Sequence, residues 1–229
     1  MTKTMKAAIL ETYGAPFRVA DIPVPAPGPG EVLVRIAASS VNPLDTKIHA
    51  GAAEHASHPL PAILGIDLAG SVAAVGSAVT DFRPGDEVYG MAGGVGGLQG
   101  TLAEYVAVDA DLLAAKPASL SMQEAAALPS VVITAWEGLV DRMAVGAGET
   151  VLVQGGAGGV GHLAVQLVRA FGAEAFATGS AHSRAIIERL GATFIDRTEP
   201  VSDKVPRLMG GRGFDRVFDT VGGAALDAS

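Results

Sequence analysis

The sequence predicts an α/β protein in two parts, a β-rich domain over residues 1–120 followed by a parallel sheet with helices on both faces over residues 121–229. Three observations carry this. The first half is a series of short apolar or alternating runs separated by turn residues. The second half alternates strand-like and helix-like segments, the pattern of repeated βα units. Between them stands Ser121-Met122-Gln123-Glu124, a capping box that satisfies the free amides of a helix start.

Taken in order, strands are predicted at KAAIL (6–10), EVLVRIAAS (31–39), GSVAAVG (70–76), DEVYG (86–90) and LAEYVAV (102–108). Pro23, Pro25, Pro27 and Pro29 forbid helix over 22–30, and Pro84-Gly85-Asp86 turns the chain tightly into a strand. Helix follows the capping box through Ala125 to Leu128 and resumes after Pro129, from about Val131 to Met143. Next come TVLVQ (150–154), a helix from about Val160 to Phe171, EAFAT (174–178), a helix from about Ser183 to Leu190, TFI (193–195) and DRVFDT (215–220).

Composition narrows the function. A formal net charge of −8 with no basic run argues against a nucleic-acid or anionic-membrane surface. The opening MTKTMKAAILETYG has no apolar signal core, and no stretch approaches the length that spans a bilayer, so a cytoplasmic location is expected. With no cysteine there is no disulfide, no thiolate nucleophile and no cysteine-ligated zinc. His49, His55 and His58 fall in a loop-like stretch without ligand spacing and read as solvated loop residues.

The chemistry concentrates at Gly155-Gly156-Ala157-Gly158-Gly159-Val160-Gly161, after an apolar strand and before an amphipathic helix. Gly156-x-Gly158-x-x-Gly161 is the spacing a dinucleotide needs. Its first glycine makes the turn, its second lets backbone approach the pyrophosphate, and its third packs helix against strand, while the helix start offers free amides and a positive dipole end. Ala157, Gly159 and Val160 belong to the same turn. About twenty residues on, where an acid would grip an NAD ribose, the chain reads Gly179-Ser180-Ala181-His182-Ser183-Arg184. Ser180, Ser183 and Arg184 suit a 2′-phosphate, so the cofactor expected is NADPH. The alternative for Arg184 is a surface pair with Glu188 one helical turn on.

Further segments run through the chain in order: Ser40-Val41-Asn42-Pro43-Leu44-Asp45-Thr46-Lys47, Leu64-Gly65-Ile66-Asp67, Gly70-Ser71-Val72-Ala73-Ala74-Val75-Gly76, Phe82-Arg83-Pro84-Gly85-Asp86-Glu87-Val88, Gly100-Thr101-Leu102-Ala103-Glu104-Tyr105, Ala125-Ala126-Ala127-Leu128-Pro129 and Phe218-Asp219-Thr220-Val221-Gly222-Gly223. With the glycine loop, these make the whole chain resemble the medium-chain dehydrogenase/reductase superfamily, and within it the zinc-independent quinone oxidoreductase branch. The resemblance implies a GroES-like catalytic domain followed by an NADPH-binding Rossmann domain, incomplete here because family members continue past the fourth Rossmann strand. It implies hydride transfer to a quinone, with a reductase of α,β-unsaturated carbonyls and a non-catalytic NADPH-binding sensor as the alternatives, and a possible homodimer.

By the same resemblance Asn42 lies beside the nicotinamide or the substrate carbonyl as a hydrogen-bond partner, with Thr134 and Val221 near the nicotinamide. Asn42 is equally an ordinary Asn-Pro turn residue. Zinc-using members carry a cysteine near position 42, a histidine at position 66 and a third ligand near position 130. Here Asn42, Ile66 and Ser130 stand there, and no metal is expected. Similar quinone oxidoreductases often have a tyrosine in place of Lys47. Asp45, Lys47 or a bound water are the open choices for the proton donor, and the two charged residues read as well as plain surface charges.

Overall fold

The computed structural model describes residues 3–56, 58–199, 203, 206 and 208–223. It forms two compact units, Met1–Ser130 and Val131–Ser229. The pattern change at Ser121 comes earlier than this division because the first capped helix packs on the β-rich unit.

In the first unit β3 (Glu31–Ser39), β5 (Asp67–Val75), β6 (Glu87–Met91), β7 (Tyr105–Asp109) and β8 (Leu113–Ala115) make a five-stranded sheet in the order β7-β3-β5-β6-β8, with every pairing antiparallel. Val32, Val34, Leu68, Val72, Val88, Val106 and Val108 fill its core. A smaller antiparallel sheet joins β2 (Arg18–Pro23), β1 (Thr4–Leu10) and β4 (Ala62–Ile63) in that order. The helix α1 (Pro43–His49) buries Ile48 with Leu10 and Leu64, and α2 (Met122–Ala126) seats Ala125 and Ala126 against Ala69. Small side chains allow that close approach.

The expected strands are present, and the sequence reading missed three: β2, β4 and β8. β2 carries Asp21 and Pro23 and pairs on one side only, with β1, so it is a polar edge strand without the apolar alternation that signals a buried one. β4 and β8 are too short to carry a period.

In the second unit β9 (Thr150–Gln154), β10 (Glu174–Gly179), β11 (Thr193–Asp196) and β12 (Arg216–Asp219) form a parallel sheet in the order β11-β10-β9-β12. Alternation divides β9 between two cores. Val151 and Val153 pack with Ala164, Val165 and Val168 of α4 (Gly159–Ala170), whereas Leu152 packs with Phe176, Ile195 and Met209 on the other face. Covered on both faces, the strand reads as a continuous apolar run. This is the doubly wound, Rossmann-like sheet the βα alternation predicts.

The helix expected over 131–143 is shorter and less regular. α3 (Pro129–Trp136) passes into a π-helical turn, Glu137–Arg142, with Met143 N donating to Gly138 O. A side chain at Gly138 would meet the ring of Phe218 from β12. α5 (Arg184–Arg189) follows β10. Among the described residues no helix is long and apolar enough to cross a membrane.

Gly70 lies on β5 opposite Ile36, at a register shift in β3, and a Cβ there would fall on the carbonyl oxygen of Arg35. Gly70→Ala is therefore expected to lower the unfolding free energy by about 1–3 kcal/mol, the usual cost of overpacking. Gly30→Ala, where an added Cβ meets nothing within 4 Å, should stay within about 0.5 kcal/mol. Denaturant titration of both variants checks the contrast; equal effects would contradict the packing argument.

Candidate functional site

In the second unit the glycine turn leaves the carboxyl end of β9, next to β12, where the strand order reverses. That is the topological switch point at which open parallel sheets bind ligands. The backbone at Gly155 is left-handed, φ +74°. Its amide donates to Thr178 Oγ1 at 3.0 Å, and the Gly156 amide donates to Thr178 O at 2.9 Å. The tight turn thus falls at Gly155, one residue before the position the spacing assigns to it. Gly156 has a different duty, since its Cβ would collide with Ala177 on β10. Gly161 serves the third role as expected: a Cβ there would strike Gly155 O, so α4 can rest on the end of β9 only without a side chain.

Gly158 caps α4 and, with Gly159, is exposed, while Ala157 and Val160 are half-buried. His162 N is bonded back to Gly158 O, and the amides of Gly159, Val160 and Gly161 before it belong to the first helical turn, which has no intrahelical acceptors for them. A glycine-rich turn ending in helix-start amides that lack intrahelical acceptors fits a dinucleotide diphosphate. Thr220 Oγ1 donates to Gln154 O at 2.7 Å, and Val221, exposed, stands beside Gly155. Thr134 is exposed on α3.

β10 ends at Gly179 with no carboxylate following it. Ser180 Oγ and Ser183 Oγ lie 3.0 Å apart. The Arg184 guanidinium lies 4.2 Å from the ring centre of Phe194 and donates to Glu188 Oε1 at 3.2 Å, so the surface pair is formed and the aromatic contact adds to it. Asp196 is paired in register with Gly179 on the neighbouring strand, but accepts from Thr198 N and Thr198 Oγ1 at 2.9 and 2.8 Å.

The first unit holds a cluster built on one carboxylate. Asp67 is fully buried. Its Oδ2 accepts from Ser40 Oγ (2.8 Å) and Asn42 Nδ2 (2.9 Å), and its Oδ1 from Ser130 N (3.0 Å) and Ser130 Oγ (2.7 Å). Asn42 Nδ2 also donates to Ser40 Oγ at 3.1 Å. Positions 42 and 130, where the resemblance places ligands in zinc-using members, do converge here, with the buried alkyl side chain of Ile66 next to Asp67 in sequence. This donor set does not fit zinc: one carboxylate bonded by an amide and two hydroxyls leaves no three-ligand site. Among the described residues no three His, Cys, Asp or Glu side chains are grouped to hold a metal ion. The sequence reading passed over Ser40 and the hub role of Asp67; a charged residue inside the apolar run LGIDLAG is the signal that donors had to be found for it.

Asn42 and Asp45 close the amino end of α1. The Asn42 amide donates to Asp45 Oδ2 at 2.7 Å, one arm of a capping box whose other arm joins the Asp45 amide to the Asn42 side chain. Asp45 is buried and its Oδ1 has no hydrogen-bond partner. Lys47 is exposed on the same helix. Asn42 and Asp45 are thus neighbours, and of the two charged residues expected at the surface only Lys47 is there. His58, expected in a solvated loop, is also buried, because its ring nitrogens lie 3.2 Å from Pro59 O and 2.8 Å from Leu98 O.

A β-rich unit followed by a parallel sheet with a glycine turn at its switch point is the architecture of the medium-chain dehydrogenases. Residues 28–118 match the family model described as alcohol dehydrogenase GroES-like domain, and residues 159–229 match that described as zinc-binding dehydrogenase. The chain is 40% identical to the chloroplastic NADPH-dependent alkenal/one oxidoreductase of Arabidopsis thaliana, over 96% of this chain and 58% of that protein. It is 34% identical to the quinone oxidoreductase of Sus scrofa, over 98% of this chain and 68% of that protein. Among solved structures, an alcohol dehydrogenase superfamily protein from Novosphingobium aromaticivorans superposes with a TM-score of 0.97 at 56% identity, covering 99% of this chain and 68% of that one. The chain belongs to the medium-chain dehydrogenase/reductase superfamily, in its quinone oxidoreductase branch.

Burial first, and then the charge of Asp67, raise the Asp45 carboxyl above the usual carboxylate range, against the opposing hydrogen bond from the Asn42 amide. The folded state therefore holds this proton more tightly than the unfolded chain. The resulting stabilisation is complete below the unfolded pKa and is lost as pH rises through the folded one. In Asp45→Asn, which has no such proton, stability relative to the parent should improve as pH rises above the ordinary aspartate value of 3.8. Denaturant midpoints over that rise test it, and a slope of opposite sign would refute the assignment.

Proposed function

We propose that this protein is an NADPH-dependent, zinc-independent reductase of electron-poor conjugated carbonyls, with quinones as the leading substrate class. The observation that carries the reading is the glycine-rich turn at the carboxyl end of β9, placed at the reversal of strand order. The amides of Ala157, Gly159, Val160 and Gly161 are assigned to the diphosphate, while Gly156 and Gly158, whose amides bond to Thr178 O and Gly155 O, are assigned to the same site for the close backbone approach they allow. Ser180, Ser183 and Arg184 are assigned to the 2′-phosphate, supported by the absence of an acid directly after β10 and by the engagement of Asp196 with Thr198. Glu188 and Phe194 hold the guanidinium, and a phosphate dianion can outcompete the exposed Glu188 for it.

Bound NADPH supplies the hydride. The chain's own work is orientation and exclusion of water, which suffices because a quinone or enone accepts hydride without a metal to polarise it. Thr134 and Val221 are assigned to the nicotinamide surroundings, and Asn42 to a polar contact with the bound ligand. Asp45 and Lys47 are the chain's candidates for the proton. Asp45 is the better one, since burial raises its affinity for a proton and it adjoins Asn42, whereas Lys47 lies exposed.

Reduction of α,β-unsaturated aldehydes or ketones is the second reading, favoured by the name of the Arabidopsis relative. Both readings predict loss of NADPH absorbance when a naphthoquinone or an enone is added. The preferred acceptor separates them, and tight NADPH binding with no turnover of either would favour a sensor.

Two outcomes follow from the residue assignments. Arg184→Ala should weaken NADPH about tenfold or more while changing NADH little, because a charge-assisted contact to the extra phosphate is lost; fluorescence titration with both cofactors reads this, and equal losses would remove Arg184 from the phosphate site. Exhaustive chelation should leave turnover unchanged. Activity lost on chelation and recovered with zinc would overturn the metal-free reading.

A further inference from the structure

At the carboxyl edge of the parallel sheet three segments meet at Gly179. A Cβ on this residue would lie 3.4 Å from Ser183 Cβ, so Ser183 sits against it on one side. On the other, its carbonyl accepts from the Arg197 amide at 2.9 Å. Gly179 and Asp196 are partners in the parallel register. Ser180, still extended at φ −72° and ψ 158°, takes the next step on its strand as Arg197 does on the neighbour. Neighbouring strands run about 4.8 Å apart, so Arg197 leaves the sheet beside Ser180, whose hydroxyl lies 3.0 Å from that of Ser183.

Asp196 shapes what happens there. Its Oδ1 accepts from Thr198 N at 2.9 Å and Thr198 Oγ1 at 2.8 Å, and its carbonyl accepts from Glu199 N at 3.2 Å. These bonds close a turn over 196–199 and set Arg197, exposed, at its tip. Among the described residues the Arg197 guanidinium has no ion pair and no hydrogen bond. Arg184, next to Ser183 in sequence, is by contrast engaged by Glu188 and Phe194. An unengaged guanidinium delivered by a turn to the side of two hydroxyls suits a phosphate dianion, whose oxygens a planar fork can grip in pairs.

We propose that Arg197 is a specificity-determining residue for the 2′-phosphate of NADPH, and that Asp196 is the positioning residue that presents it. This rests on the proposed NADPH site and adds to it a cation with no partner to give up before it meets the phosphate. The acid that stands in register with the end of β10 is thereby a builder of the phosphate site and not a ligand for a ribose hydroxyl.

Calorimetric titration with NADPH, NADH, adenosine 2′,5′-bisphosphate and 5′-AMP tests this, with circular dichroism to show that each variant is folded. Arg197→Ala should raise Kd for NADPH and for the bisphosphate about tenfold or more, the scale of a lost contact to a charged group, while NADH and 5′-AMP change less than about twofold. Arg197→Lys keeps the charge, loses the fork and should fall between. In Arg184→Ala/Arg197→Ala the two cofactors should bind alike.

Asp196 is read by its own pair of variants. Asp196→Ala removes the acceptor that closes the turn and should weaken NADPH more than NADH. Asp196→Asn keeps Oδ1 as an acceptor and removes a negative charge, so it should bind NADPH at least as tightly as the parent. Tighter NADPH binding in Asp196→Ala would mean that the acid acts by repulsion alone and would overturn its positioning role. A folded Arg197→Ala with unchanged NADPH affinity, or with equal losses for NADPH and NADH, overturns the inference and leaves the cofactor reading standing. An unmodified chain that binds neither NADPH nor the bisphosphate overturns both.

Discussion

A carboxylate taken out of water has to be given something in water's place. The cost of burial is several kcal/mol when that fails, and at Asp67 four hydrogen bonds prevent it. The donors come from segments well separated in sequence: Ser40 and Asn42 between β3 and α1, and Ser130 at the start of α3. One pair of oxygens therefore pins the end of a strand and the beginnings of two helices. Removing the carboxylate would leave four donors to find partners in a buried place, which is why a single residue can govern the local path of the chain.

The parallel unit is governed by a constraint of another kind, the exclusion of side chains. Gly155 takes a left-handed conformation, Gly156 clears Ala177, and Gly161 clears the carbonyl of Gly155. Each glycine answers to a different neighbour. Together they bring α4 close onto β9 and leave Gly158 and Gly159 bare at the helix start. The same lack of side chains that permits the packing exposes the amides, so the structural and binding roles of this turn do not compete.

Much of this was legible in the sequence because it rests on period and spacing. The apolar runs of β9 and β10, the stripe of α4 and the capping box at Ser121 all mark themselves locally. The reading failed where the deciding partner is distant. That the turn falls at Gly155 depends on Thr178, more than twenty residues away, and the geometry of Gly156 depends on Ala177. β2 escaped notice since an edge strand need not alternate, and the π-turn after Trp136 follows no periodic signal, although Gly138 within it lies where a side chain would meet the distant Phe218. Asp67 was visible as a charge in an apolar run, yet nothing local named Ser130, 63 residues on, as its partner.

Asp45 and Asp67 show how far burial alone falls short of describing a group. Both carboxylates are nearly or wholly inaccessible, and Asp45 feels the charge of Asp67. Asp67 is met on both oxygens by donors aimed at it, whereas Asp45 has the Asn42 amide on one oxygen and no hydrogen-bond partner on the other. Ionising Asp45 therefore leaves a desolvated charge beside another carboxylate, and its proton is held the more firmly for it although hydrogen bonds from Asn42 and the Gly65 backbone oppose this. Asn42 stands between the two, its backbone amide turned to Asp45 and its side-chain amide to Asp67. Two acids in one small volume thus acquire opposite duties, one anchoring an amide and the other retaining a proton, and the difference lies in the donors around them.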